Sequence, residues 1–304
     1  MIHRRSCPVC FSAKPEVCLR VAYDSVPMRE HFKRLGAEIR FEVLKDHFFE
    51  IAHCSECLLL YQTSVLADDD LGMLYNTNSS KSSAPPFTSL ISLVHFSQDA
   101  LLMRQLVRKP TAIPQLLDYG LGWGRFAMAA QALGFAVSGV EISECCREHS
   151  RKHGIKLLDT NQLPEAEFDA VIVDQVLEHL GDPRKVLQEV ARSLKPGGFL
   201  LAGTPGVPGV ETRLRRAGTE ANPLAALTDR DLDAISPLIH TNLFNAHSLK
   251  VLAQYAGLTW YRPPLRTALA SGMLWNSPRQ WNRNLNVPIK YWLGKGTRLW
   301  FRKS

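Results

Sequence analysis

The chain has 304 residues, 45% hydrophobic and 21% charged, which leaves room for one large folded domain and a smaller one. No run of 18 apolar residues occurs, which excludes a membrane-spanning helix. The N-terminus MIHRRSCPVC has no apolar segment behind its two arginines, so no secretory leader is expected and a cytoplasmic protein is. The net charge of +7 is uneven, because no acid follows Asp233 while Ala234–Ser304 holds ten Lys or Arg and five of the six tryptophans. Cations mixed with Trp suit a phosphate-bearing partner, nucleic acid or a membrane surface; they suit equally a basic solvated face over a Trp-rich core.

Residues 1–76 form a first region with two C-x-x-C pairs, Cys7/Cys10 and Cys54/Cys57. Each places two thiolates on one tight turn, and two such turns complete a tetrahedral four-sulfur site, the closed geometry of structural zinc. The alternative is buried or redox-active cysteines without metal. An odd total of seven cysteines and no leader argue against a disulfide framework. Strand-like text occurs at Arg40–Val43 and Phe48–Ala52. The Ser/Pro-rich stretch Asn76–Ser89 reads as a linker and Ser89–Val107 as a helix, so 77–110 is expected to be linker and helix.

From Gln115 short apolar runs bounded by Gly, Asp or Pro alternate with helical text. Strands are expected at Leu116–Leu117, Ala136–Val140, Lys156–Leu158, Ala170–Val173 and Phe199–Ala202. Helices are expected at Arg125–Leu133, Ser143–His153 and Pro183–Leu194. Gly134 and Gly154 stand just past the first two, and Asp182-Pro183 opens the third. This is α/β text for a doubly wound sheet. Residues 206–245 are polar, broken by Pro and Gly, and fit no sheet strand. A further helix at Ser248–Tyr255, a strand at Leu258–Tyr261 and a Gly-hinged last strand complete the expected domain over 111–304.

The most informative text is LLDYGLGWGRFAMAAQALGFAVSGVEIS. A strand ends at Asp118, breaks into Gly120-x-Gly122-x-Gly124 and passes at once into a helix whose free N–H groups face the loop. The next strand ends in Glu141, placed for a bidentate grip on two ribose hydroxyls. A dinucleotide loop wants a third glycine where Arg125 stands, whereas the G-x-G-x-G spacing after Asp118 suits a methionyl group. Together with the later FDAVIVDQVLEHLGDPRKVLQEVARSLKPGGFLLAGTPG, residues 115–205 resemble the class I S-adenosylmethionine-dependent methyltransferases.

The resemblance implies a Rossmann-like methyltransferase sheet joined to a small N-terminal zinc-binding domain. It implies that Asp118 and the backbone of Gly120, Gly122 and Gly124 surround the methionine moiety, that Glu141 takes the ribose and that Ile142 flanks the adenine. It places Asp159 at the adenine edge, and Asp174 and Gln175 on the floor near the sulfonium. Asp118 and Asp174 can also be read as strand-end carboxylates that only cap loops. CPVC followed later by FFEIAHCSECLLLYQ is similar to the zinc module of sugar-modifying and natural-product methyltransferases. There glycine follows the second Cys of each pair, whereas here Phe11 and Leu58 do. The extra C-terminal domain of the sugar C-methyltransferases is not expected here, because residues 1–304 leave no room for it.

His179 in VLEHL and His240 in SPLIHTNLFNAHSL are the candidate general bases; each is alternatively a loop-positioning residue. The resulting expectation is transfer of a methyl group to a small-molecule acceptor, a sugar, glycan precursor or biosynthetic intermediate, phosphate-bearing or lipid-linked, with 206–245 as lid. Peripheral membrane contact through the basic Trp-rich C-terminal region is a further expectation. The other readings are an RNA methyltransferase gripping backbone through the zinc module and basic tail, and a non-catalytic zinc-stabilised scaffold. The intact glycine loop and Glu141 oppose the scaffold.

Overall fold

The structure is a computed structural model that describes residues 1–34, 44–66, 90–107, 112–160, 162–271 and 278–304. The strand expected at Arg40–Val43 and the linker expected over Asn76–Ser89 lie outside the described residues. The chain divides into two compact units: Met1–Leu71, Leu177–Pro183 and Thr204–Val251 form the first, and Gly72–Val176, Arg184–Gly203 and Leu252–Ser304 the second.

The first unit opens with β1 (Ile2–His3), β2 (Pro15–Ala22), α1 (Val26–Arg34), β3 (Phe48–Cys54), β4 (Leu60–Gln62) and β5 (Ser64–Val65). β2, β3 and β4 pair antiparallel in that order, and β1 pairs with β5. Phe49, Ile51 and Leu19 are at most 2% exposed, so the aliphatic and aromatic residues of β2 and β3 make this unit's core. Cys54 closes β3, and its N–H donates to Leu59 O at 2.9 Å, so the second cysteine pair sits on the β3–β4 turn.

The second unit begins with α2 (Leu90–Leu106) and continues as β6 (Gln115–Tyr119), α3 (Arg125–Ala132), β7 (Ala136–Val140), α4 (Glu144–Lys152), β8 (Lys156–Leu157), β9 (Phe168–Asp174), α5 (Pro183–Ser193) and β10 (Leu194–Gly203). Each expected strand and helix of this stretch is present. The run Phe199–Ala202 proves to be the regular part of a longer strand, with a bulge between Leu194 and Phe199 where Lys-Pro-Gly-Gly interrupts the pairing.

Returning to the first unit, the chain adds α6 (Val210–Ala217), α7 (Asp229–Ala234) and β11 (Asn242–Leu243) before entering α8 (Ala246–Tyr255). Here the structure corrects the expectation that 206–245 holds no sheet strand, since β11 pairs antiparallel with β4. Its polar first residue hid it. Asn242 is fully buried, and its amide donates to Leu177 O at 3.0 Å and Leu180 O at 2.8 Å, which satisfies the burial.

The second unit ends with β12 (Leu258–Tyr261), α9 (Leu265–Ala270), α10 (Pro278–Leu293) and β13 (Arg298–Lys303). The sheet order is β12-β13-β10-β9-β6-β7-β8, with β13 antiparallel to both neighbours and the five strands from β10 to β8 parallel. β13 is therefore an interior strand; of its basic residues Arg298 is drawn into ion pairs with Asp99 and Asp174, while Arg302 stays exposed. Trp300, 1% exposed, packs edge-on against Tyr291 and belongs to a core cluster with Leu116, Ile172 and Leu201. β6 lies between β7 and β9, so the strand order reverses beside β6, and a crevice opens at the carboxyl ends of these three strands.

Candidate active site

Three carboxylates gather at that crevice: Asp118 near the end of β6, Glu141 just after β7 and Asp174 at the end of β9. Between them runs the glycine loop. Gly120 holds φ +85°, and a Cβ there would stand 2.1 Å from Cγ2 of Val176, so both conformation and space demand glycine. The N–H groups of Gly120 and Leu121 both donate to Val140 O, at 2.9 and 3.0 Å, which fastens the loop across β7. Gly124 caps α3 in the left-handed conformation.

Glu141 is the second fastening. Its Oε2 accepts from Gly122 N–H at 2.7 Å, and its Oε1 accepts from the N–H groups of Ile142 and Ser143, both at 2.8 Å. Beside it the apolar side chain of Ile142 is 57% exposed. Asp118 is buried. Burial, then the charges of Asp174 and Glu141, push its carboxyl up to about 8. Asp159 is exposed just past β8, and its carbonyl accepts from Gln162 N–H at 3.3 Å.

Gln175 follows β9 at φ +57°, a costly conformation for a side-chain-bearing residue, and its N–H is fixed to Gly203 O at 2.8 Å. Asp174 accepts from the guanidinium of Arg298, which also donates to Asp99 at 2.8 Å. Asp99 is 4% exposed and accepts in addition from the Tyr291 hydroxyl at 2.9 Å. The pair Asp174–Arg298 lies flat over β10 because residue 203 is glycine. A Cβ there would come 2.1 Å from Asp174 Oδ1 and 2.8 Å from Arg298. Neither Arg298 nor Gly203 was legible as a site residue. Trp123 was also missed; it stands inside the glycine loop with its ring 5.4 Å from that of His149, edge to face.

Within the first unit, His179 and His240 come together with ring centroids 4.8 Å apart. Nδ1–H of His179 donates to Ile239 O at 3.1 Å, which leaves Nε2 as the lone-pair nitrogen, 3.8 Å from Oε1 of Glu178. Burial, then the neighbouring His240, lowers His179 to about 4, and burial lowers His240 as well. Both rings are neutral at pH 7. Glu178, 1% exposed, was not singled out in sequence.

The first unit also brings all four expected thiol ligands together, with sulfur atoms within 4.8 Å of one another. Cys7 and Cys57 are 3.5 Å apart, and Cys10 and Cys54 3.4 Å, close to the roughly 3.8 Å edge of a tetrahedral zinc–thiolate site. The two turns match: Phe11 N–H donates to Cys7 O at 3.0 Å and Leu58 N–H to Cys54 O at 2.8 Å. Phe11 and Leu58 take φ +60° and +59°, the conformation that glycine prefers at these places. The substitutions thus leave the knuckle geometry intact at a conformational cost. The hydrogen bond with Cys57 outweighs burial and lowers the Cys7 thiol to about 5.

A family model described as a methyltransferase domain matches residues 94–262. The chain belongs to this family, and its glycine loop and crevice acids lie within the matched residues. It is 34% identical over 108 residues to a ubiquinone biosynthesis O-methyltransferase of Thiobacillus denitrificans, covering 32% of this chain and 47% of that protein. To the protein of the same description from Caulobacter vibrioides it is 31% identical over 124 residues, covering 37% and 47%. The chain thus spans about half the length of the curated relatives it matches. Among solved structures, the Burkholderia thailandensis 1,6-didemethyltoxoflavin-N1-methyltransferase, with bound 1,6-didemethyltoxoflavin and S-adenosylhomocysteine, aligns with TM-score 0.48 and 15% identity, covering 83% of this chain and 98% of that one.

Proposed function

We propose that the chain transfers a methyl group from S-adenosylmethionine to a hydroxyl oxygen of a small biosynthetic intermediate. The carrying observation is the Gly120–Gly124 loop fastened to Glu141 at the ends of β6 and β7, and the proposed proton acceptor is His179, whose Nδ1–H donates to Ile239 O and whose ring lies 4.8 Å from that of His240. The O-methyltransferase description of the curated relatives supports oxygen as acceptor. Of the sugar, glycan precursor and biosynthetic intermediate expected from the sequence, it favours the last.

When bound, the cofactor supplies an electrophilic methyl on a sulfonium. The chain's own residues position it. Asp118 and the glycine-loop backbone would hold the methionine end and Glu141 the ribose, with Ile142 against the adenine and Asp159 at its edge. Asp174 and Gln175 would floor the site. In-line alignment provides much of the rate, with effective molarities of about 10⁵ M and above. His179 would take the acceptor hydroxyl's proton on Nε2, a contribution of about 10²–10⁴-fold, while Ile239 O steadies its other nitrogen. The segment 206–245 serves as lid, and the first region, 1–76, carries one structural zinc on Cys7, Cys10, Cys54 and Cys57. The unbridged thiols of Cys7, Cys10, Cys54 and Cys57 support a reducing, cytoplasmic site of action.

Methyl transfer from labelled cofactor to a panel of phenolic hydroxyl compounds, nucleotide-linked sugars and RNA tests the reading. Product on the hydroxyl compounds, lost in His179→Ala, is expected. Label on RNA or sugar alone would overturn it.

A further inference from the structure

We propose that α10 is a docking face for an anionic lipid bilayer, with the helix lying flat in the headgroup layer. Four large apolar side chains of α10 are about half-exposed: Trp281 at 55%, Leu285 at 46%, Ile289 at 40% and Trp292 at 45%. Their spacing of four, four and three residues puts them on one helix face. The other face is occupied, since Asn284 and Tyr291 are at most 5% exposed and α10 packs on α9 and β13. Exposed single hydrophobes need no explanation, but a contiguous stripe of this length does.

The stripe has tryptophan at both ends, about 16 Å apart along the axis, and aliphatic residues between them. Amphipathic Trp rings suit the depth of the headgroups, and the aliphatic side chains suit the acyl boundary. The rim is cationic. Exposed Arg262 lies with its guanidinium 4.4 Å from the centre of the Trp260 ring and 5.8 Å from that of Trp292, and Lys290 and Lys295 are exposed nearby. No Asp or Glu occurs anywhere from Ala234 to Ser304, so this face has no acid of its own segment to neutralise it. That charge pattern selects the occupant. A second copy would bring cationic rim against cationic rim, whereas lipid phosphates complement the rim and receive the stripe.

The test is co-sedimentation of the full chain with vesicles of phosphatidylcholine alone and of phosphatidylcholine with 30% phosphatidylglycerol, in the absence of cofactor and acceptor. Binding to the anionic vesicles, weak at 0.5 M salt and at least tenfold weaker to the neutral ones, is expected. Leu285→Glu with Ile289→Glu should abolish it at least tenfold while circular dichroism and cofactor binding stay unchanged, because both side chains are exposed. A blue shift of Trp emission and its quenching by brominated lipid should accompany binding in the natural chain only. Equal partition of the double variant, or no binding by the natural chain, would overturn the proposal. So would light scattering that shows a dimer which the same double variant dissolves.

Discussion

Glu141 and Gly122 are joined through a 2.7 Å hydrogen bond from the backbone N–H of the glycine to Oε2, while Oε1 takes two further N–H groups at 2.8 Å. Three backbone donors converge on one carboxylate, so the acid shapes the glycine loop. Glutamine keeps one acceptor and turns an NH₂ toward donors on the other side. In Glu141→Gln, hydrogen exchange at Gly122, Ile142 or Ser143 should accelerate about tenfold, as expected for the loss of roughly 1–2 kcal/mol of hydrogen bonding. Unchanged protection of all three amides would remove Glu141 from this structural role.

The glycines of the loop are predicted to differ in sensitivity. Gly120→Ala meets Val176 and a left-handed backbone together and should lose roughly 2–4 kcal/mol of stability. Gly122→Ala meets nothing within 4 Å and bears only the conformational cost, about 1 kcal/mol. Denaturant unfolding measures both, and pairing Gly120→Ala with Val176→Ala should recover part of the loss. Equal effects at 120 and 122 would refute the packing argument.

The buried Asp118 carboxyl gives binding a pH dependence. With its pKa pushed up to about 8 it is protonated at pH 7, and the proposed role opposite the cofactor's cationic methionine end needs it ionised. Affinity for S-adenosylmethionine should therefore rise as pH goes from 6.5 to 8, with close to one proton released per binding event at pH 7. The stability sign is opposite: the folded state holds this proton more tightly, so its contribution declines as pH rises from about 4 to 8. Calorimetry in two buffers of different ionisation enthalpy reads the proton count. Asp118→Asn should bring it near zero, and a natural chain that releases none contradicts the assignment.

Zinc and the two strained knuckle residues make a separate prediction. Metal analysis of reduced protein should find one zinc per chain, and chelation should unfold the first unit. Phe11→Gly and Leu58→Gly replace exposed side chains at φ near +60° and should each stabilise that unit by about 1 kcal/mol. A loss of stability in both would mean that these side chains pack in the folded chain.

What the sequence made legible was local. The β6–α3 junction declares itself through Asp118, the glycine spacing and Glu141, because a turn of positive φ and a strand-end acid are written in adjacent residues. The four cysteines were legible for the same reason, as two short turns. Arg298 was not: a cation on a last strand looks like an edge charge until β13 is seen between β10 and β12, where Arg298 bridges Asp99 and Asp174 across 199 and 124 positions of sequence. Gly203 depends on that pair and was invisible with it. β11 was hidden because a buried Asn242 reads as loop text, and its satisfaction comes from carbonyls over sixty residues away. Glu178 acquires meaning only once His240 is placed beside His179.

Calorimetric titration of the purified chain with S-adenosylmethionine tests the central claim most directly. One site per chain is predicted, with affinity at least tenfold weaker in Glu141→Ala at unchanged fold. Absence of heat or of any saturable binding in the natural chain, folded and reduced, would contradict a cofactor site built on the Gly120–Gly124 loop and Glu141.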